Sequence, residues 1–453
     1  MVPYKLMLLL FCGLLCVYTT ASAGGRMEAD PIFGGEVYVL EEGDRANPTV
    51  VLVHGLGDAA SDDWQETIAN LRSDYHILTF DLPGFGRSSK ANIVYSPTRY
   101  SELISYLTGK YAKRPFHLVG HSMGGAIALR HAATYAHDLQ SLTLIDAAGI
   151  LHRLAYTKYL APLGLEMFAG GPLPAHGTIS DLAGALLGVF ERKLAETLPV
   201  DMSVVLHSAL LREKLLKGNP TAIAGLGLVM EDYSRVPQQV RTPTLIIWGG
   251  KDQVAPPRTG LVLDALLPDS SLHIIPDAGH VPIRGQTQEF LRLLRQHLSS
   301  PGSLETPRPA VSTEVRDEVV CENARDQVYS GKIRRLVLKN CKGILIRDAE
   351  LEELEIEQSQ VSVENTRIEG QEVGILAWDS KVTLTAGSVE ADIAIKSVGS
   401  RFDIAGTRLT GHDELIRAAG ESELLMSLVP AQSPDLAVDV LHGPQPVVSI
   451  LNL

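Results

Sequence analysis

Ser122 lies in Gly120-His121-Ser122-Met123-Gly124-Gly125, which fits the pattern G-x-S-x-G. A serine hydroxyl is a poor nucleophile until a neighbouring base takes its proton, so the pattern calls for a histidine and an acid within reach. The apolar run His117–Val119 precedes it and a helical pattern follows. A sharp strand-to-helix turn leaves little room for side chains at Gly120 and Gly124, and it presents Ser122 from strained backbone. The N-terminus of the following helix would aim the Met123 N–H at developing negative charge. Two other loops also follow apolar runs: Trp248-Gly-Gly-Lys-Asp252-Gln-Val-Ala-Pro256 and Ala278-Gly279-His280-Val281-Pro282. Among 14 histidines, His280 is distinguished by this strand-ending Gly-His loop.

The elements that must hold these residues alternate along the chain. Val50–Val53, His76–Phe80, His117–Val119, Leu142–Ile145, Thr244–Trp248 and Leu272–Ile275 read as buried strands. Helical patterns separate them, including Ser122–His137 and Gln286–His297. Short continuous apolar runs between helices predict a parallel sheet covered on both faces, an α/β doubly wound architecture. The alternation breaks between about 150 and 236, where Leu182, Leu186, Leu187 and Phe190, then Leu206, Leu210 and Leu211, recur at helical spacing. An insertion of this size predicts a helical cap over the sheet, with a separate small helical domain as the alternative.

His54-Gly55-Leu56-Gly57 ends the Val50–Val53 run, and with the Ser122, Asp252 and His280 loops it makes residues 36–299 resemble the α/β-hydrolase superfamily. The order Ser, Asp, His along the chain is the order of that fold. The resemblance implies Asp252 as the acid that orients His280, and His280 as the base for Ser122. It also implies Leu56 N–H beside Met123 N–H as the oxyanion donors. Asp81, in Asp81-Leu-Pro-Gly-Phe-Gly-Arg-Ser88, and Asp146, after Leu144-Ile145, are rival acids. His54 and His121 read as structural residues. The cap and the Gly-x-Ser-Met-Gly-Gly form resemble small-molecule esterases, meta-cleavage-product hydrolases and cofactor-free haloperoxidases. Serine at 122 disfavours relatives that use aspartate there.

Ser299-Ser-Pro-Gly-Ser-Leu-Glu-Thr-Pro-Arg-Pro reads as the start of a linker over 301–318. Beyond it, apolar–x–apolar triplets recur: Leu336/Leu338, Ile344/Ile346, Leu354/Ile356, Val361/Val363, Val382/Leu384, Ile393/Ile395 and Phe402/Ile404. Short strands repeated this closely predict an all-β, solenoid-like domain over 319–412 resembling a right-handed parallel β-helix, with a small sandwich as the alternative. A short helix over Glu414–Leu428 and a tail would complete 413–453. Such a domain could bind glycan, anchor the chain to an envelope surface, mediate self-association or stabilise its neighbour.

At the other end, Lys5, the apolar run Leu6–Val17 and Ala21-Ser-Ala23 describe a secretory signal peptide over 1–23. The expectation is export, secreted or periplasmic, with retention as a membrane anchor as the alternative. Cys12 and Cys16 lack the small preceding residue of lipoprotein signals. Cleavage after Ala23 removes Lys5, the one charge of that segment, and takes the formal charge from −13 to −14. An acidic chain without basic clusters has no footprint for nucleic acid. No interior run reaches the ~20 apolar residues of a membrane span. In an oxidising compartment, Cys321 and Cys341 are expected to form a disulfide, with two free buried thiols as the alternative. HExxH, paired Cys-x-x-Cys and EF-hand spacings are absent, so neither a metal nor an organic cofactor is expected. These observations predict an exported serine hydrolase acting on a small-molecule carboxylic ester. Carbon–carbon bond hydrolysis, or a non-catalytic hydrolase scaffold used for binding, are the alternatives.

Overall fold

The computed structural model describes residues 25–155, 202–309, 314–434 and 436–445. The expected signal segment, with Cys12 and Cys16, and the 156–201 part of the expected cap lie outside these residues.

Eight strands form the first sheet: β1 (Arg26–Ala29), β2 (Glu36–Glu42), β3 (Thr49–Val53), β4 (His76–Phe80), β5 (Phe116–His121), β6 (Leu139–Ile145), β7 (Thr244–Gly249) and β8 (Ser270–Ile275). Their order is β1-β2-β4-β3-β5-β6-β7-β8. β2 is antiparallel to both β1 and β4, and the remaining neighbours are parallel. Each central strand is apolar on both faces because both faces are covered. Along β3, Val51 and Val53 join one core with the helices Pro97–Tyr111 and Met123–Thr134. Val50 and Leu52 join the opposite core with Phe290, Leu293 and Leu294 of the helix Thr287–Ser299. The doubly wound sheet follows from this alternation. The described part of the insertion after β6 is helical, with Met202–His207, Ala209–Leu216 and Pro220–Met230. Asn219 caps the last of these through the Ala222 N–H, with Pro220 in the first turn.

The C-terminal domain is all-β. It comprises β9 (Val315–Glu322), β10 (Val328–Lys339), β11 (Ile344–Glu357), β12 (Gln360–Glu364), β13 (Arg367–Glu369), β14 (Val373–Trp378), β15 (Lys381–Thr385), β16 (Ser388–Val398), β17 (Arg401–Ala405), β18 (Arg408–Ala419), β19 (Glu423–Gln432) and β20 (Val440–Gln445). Each strand lies in register on one from the next stretch of chain: Val361 on Val382, Val382 on Phe402, and Phe402 on Leu424. These pairs are parallel, and β19–β20 is antiparallel. The apolar triplets point inward, with Leu336, Leu338, Leu354, Ile356, Ile395 and Ile404 in one core.

Two expectations fail here, both for tertiary reasons. Residues 414–428 are not a helix but the second half of β18 and the first half of β19. Their Glu, Leu, Ala and Met content favours helix only weakly, and the exposed edges of β16 and β17 supply ladder partners that override it. Gly420, at φ +63°, makes the turn between the two strands.

Cys321 and Cys341 are buried free thiols, not a disulfide, with their sulfurs 2.6 Å apart. Cys341 is the first rung of a side-chain ladder. Cys341 N–H donates to Ser359 Oγ, Ser359 N–H to Ser380 Oγ and Ser380 N–H to Ser400 Oγ, at 2.9, 3.1 and 3.0 Å. The cysteines therefore meet because the strands stack, Cys341 at a corner that elsewhere holds serine and Cys321 within β9, opposite Leu338.

The two domains share a core. Ala405, Leu425 and Leu428 lie in the same apolar cluster as Val262 and Leu263 of the helix Arg258–Leu266. At that helix's start, Arg258 pairs with Asp403 at 3.1 Å and donates to Leu384 O. On the other side of the contact, His152 N–H donates to Ser427 Oγ at 3.1 Å, and the His152 and His442 rings meet edge to face.

Candidate active site

Ser122 stands between β5 and the helix Met123–Thr134 with φ +55°, a backbone strained for any residue with a β-carbon. Its N–H donates to Ile145 O at 2.9 Å, which ties the turn to β6. The flanking glycines are required by close backbone approach. A β-carbon on Gly120 would lie 2.2 Å from Gly124 O, and one on Gly124 would lie 2.2 Å from Val53 O and 2.6 Å from His54 O. The same crowding excludes a side chain at Gly55, whose β-carbon would lie 2.8 Å from that of Ser122.

The base arrives from the loop after β8. His280 Nε2 lies 2.9 Å from Ser122 Oγ, and His280 Nδ1 lies 2.8 Å from Asp252 Oδ2. All three side chains are buried. The acid loop and the histidine loop are pressed together. Lys251 N–H donates to Ala278 O, and a β-carbon on Gly249 would lie 2.1 Å from Gly279 O. Asp252 is aimed by its own turn, because Oδ1 accepts from the Val254 and Ala255 N–H groups at 2.7 and 3.0 Å. Oδ2 is thereby left to His280. This geometry can draw a proton from the Ser122 hydroxyl and stabilise the imidazolium that results.

Met123 opens its helix, where the first N–H groups lack intrahelical acceptors. Leu56 follows Gly55, which packs against Ser122. The two residues expected to supply the oxyanion donors thus lie in the turns beside Ser122. Among the described residues, no group of three or more His, Cys, Asp or Glu side chains is arranged to hold a metal ion.

The rival acids have other hydrogen-bond partners. Asp81 is fully buried and accepts from Ser61 N–H at 3.0 Å, Arg87 N–H at 2.8 Å and Arg87 Nε at 2.7 Å. Burial pushes its carboxyl up, but the Arg87 and Ser61 hydrogen bonds prevail and hold it below the usual carboxylate range. It therefore pins the loop after β4. Asp146, at the end of β6, faces Asp252 and accepts from Gly249 N–H at 2.8 Å.

His54 and His121 are structural. His54 Nε2 accepts from Leu82 N–H at 2.8 Å, so its proton is on Nδ1 and goes to Gly55 O at 2.7 Å. His121 Nε2 lies 2.7 Å from His280 O, and its ring packs against the His280 ring. Donation from His121 Nε2–H to that carbonyl holds the histidine loop down. Burial, aided by the His280 ring, drives the His121 imidazole down to about 3. The type and position of His121 in the sequence carried no signal of this brace, which joins residues far apart in the chain.

The first domain is similar to known proteins. A family model described as alpha/beta hydrolase fold matches residues 48–283. Lipase 1 of Psychrobacter immobilis is 28% identical over 254 residues, covering 55% of this chain and 76% of that protein. Lipase 3 of Moraxella sp. (strain TA144) is 27% identical over 273 residues, 59% of this chain and 82% of that protein. A solved structure of a membrane phospholipase A, a bacterial virulence factor, has 25% identity and a TM-score of 0.45, covering 62% of this chain and 87% of that one. The family match spans more than half of the 453 residues and contains the Ser122, Asp252 and His280 loops, so the chain belongs to the α/β-hydrolase family.

Proposed function

We propose that the chain is an exported serine hydrolase that cleaves a carboxylic ester of a small molecule through an acyl-enzyme. The observation that carries this reading is the continuous hydrogen-bonded line from Ser122 Oγ through the His280 imidazole to Asp252 Oδ2, at 2.9 and 2.8 Å. The similarity to proteins named lipases supports the ester class. Export rests on the apolar run Leu6–Val17 and Ala21-Ser-Ala23.

In the reaction, Ser122 Oγ attacks the ester carbonyl carbon as its proton passes to His280 Nε2. The carbonyl oxygen becomes an oxyanion facing the Leu56 and Met123 N–H groups. Collapse breaks the bond to the alkoxy oxygen, which takes the proton from His280 and leaves as the alcohol. A water then gives a proton to His280, attacks the acyl-serine carbon, and releases the acid with Ser122 restored. Asp252 remains ionised throughout and holds the Nδ1–H tautomer.

The stacked parallel strands support a second element of the proposal, that the C-terminal domain is a parallel β-solenoid. It packs into the enzyme's core instead of being tethered to it.

Ser122→Ala tests the catalytic reading. It should abolish turnover of short p-nitrophenyl esters and labelling by a fluorophosphonate probe, while circular dichroism and melting stay those of the parent. Full turnover in that variant would exclude Ser122 as the nucleophile.

A further inference from the structure

We propose that Asp146 is a positioning residue, a neutral carboxylic acid whose O–H donates to Asp252 and fixes the triad carboxylate from behind. This rests on the reading of Ser122, His280 and Asp252 as the catalytic set.

The geometry begins at the end of β6. Asp146 has φ +45°, and its N–H donates to Ile247 O at 3.0 Å, so the residue is turned toward β7 and the acid loop. It is fully buried. Oδ1 accepts from Gly249 N–H at 2.8 Å, and Asp252 N–H in turn donates to Gly249 O. Oδ2 is buried with no N–H or hydroxyl group as partner among the described residues. The neighbour it meets is Asp252, another carboxyl within hydrogen-bonding reach. Two ionised carboxylates cannot share a dry site at that separation, so one of them carries a proton.

The partners decide which one. Asp252 has three donors aimed at it, the Val254 and Ala255 N–H groups and His280 Nδ1, all of which favour its charged form. Asp146 has one, Gly249 N–H. The proton therefore sits on Asp146, on the oxygen that otherwise has no partner. Burial, and then the Asp252 charge, raise the Asp146 carboxyl well above its ordinary range. The other titratable groups at this junction are His280 and His121, with Arg284 beyond them. His121 stays neutral down to about 3 and takes no part in titration near neutrality.

Removing the O–H donor should loosen Asp252 and thereby His280. Asp146→Ala should lower kcat by about 10- to 100-fold with KM little changed, the effect of one lost hydrogen bond to a charged group. Asp146→Asn offers an amide N–H in place of the O–H and should recover most of that loss. It should also keep the acidic limb of the kcat/KM–pH profile where the parent has it, because no charge is removed. If Asp146 were ionised, the same substitution would remove a negative charge near His280, and the limb would move to lower pH.

Infrared difference spectra of parent minus Asp146→Asn should show the C=O stretch of a protonated carboxyl, whether or not Asp146→Ala folds. A limb shifted down in Asp146→Asn, a missing carboxyl band, or parental kcat in a folded Asp146→Ala would each overturn the proposal. Fluorophosphonate labelling of the parent separates the two readings. An unlabelled parent sinks the hydrolase reading, whereas a labelled parent with any of those three results sinks the role of Asp146 alone.

Discussion

Replacing His54 with glutamine tests whether a neutral imidazole holds the strand end beside Ser122. Leu82 N–H donates to His54 Nε2, and His54 Nδ1–H donates to Gly55 O, so the uncharged ring satisfies both neighbours. A second proton would set one N–H against another in a site closed to water. Burial accordingly holds this imidazole at about 4, against an ordinary 6.5. As pH falls through 6.5 the unfolded chain takes up the proton, but the folded chain does so only near 4. Stability is thus full above 6.5 and is lost as pH falls toward 4. At about 1.4 kcal/mol per pH unit, His54 alone removes about 2 kcal/mol between pH 7 and pH 5, and about 3 kcal/mol over the whole window. Glutamine keeps an acceptor for Leu82 N–H and does not titrate. Urea unfolding at the two pH values, followed by fluorescence of the buried Trp64 and Trp248, reads the difference. The loss of stability from pH 7 to pH 5 should be about 2 kcal/mol smaller in His54→Gln. Equal losses in the two proteins would refute the reasoning.

Gly124→Ala should lower kcat/KM by about 10²-fold or more, since its β-carbon meets backbone carbonyls and must displace Ser122 and Met123 N–H. Ester turnover alongside a circular dichroism melt measures this, and near-parental turnover would mean that the turn has slack. Arg258→Ala should cost about 2 kcal/mol by leaving Asp403 and Leu384 O without their partner at the domain junction. Differential scanning calorimetry should then show the joint transition of the two domains beginning to separate.

The central strands were legible because a strand covered on both faces has almost no choice but continuous Val, Ile and Leu. β1 and β2 escaped because they lie at the antiparallel end of the sheet, where Arg26–Ala29 and Glu36–Glu42 mix charged and apolar residues. The misread helix at 414–428 shows the converse limit, since composition there favours one state while the neighbouring strands' unpaired edges impose another. The cysteines carried a usable signal that spacing alone concealed. Asn340-Cys341, Gln358-Ser359, Asp379-Ser380 and Gly399-Ser400 each place a left-handed residue before a small one, and each serine hydroxyl accepts from the N–H of the preceding rung. Read as the first member of that series, Cys341 is a ladder rung before it is half of a cross-link.

The site divides along the same line. Gly120, Ser122 and Gly124 act within one turn, so their spacing in the chain is already their geometry. The choice between Asp252 and Asp146 is of another kind, because each is an aspartate ending an apolar run and both arrive at the same place. What separates them is the set of donors the fold aims at each. Three converge on Asp252, one of them on the histidine that reaches Ser122. One reaches Asp146, whose second oxygen is buried without a donor among the described residues and whose carboxyl feels the Asp252 charge. Treating the two as competitors for one role therefore misses the arrangement. The donor count makes Asp252 the charge that His280 uses, and it makes Asp146 the acid that keeps that charge in place.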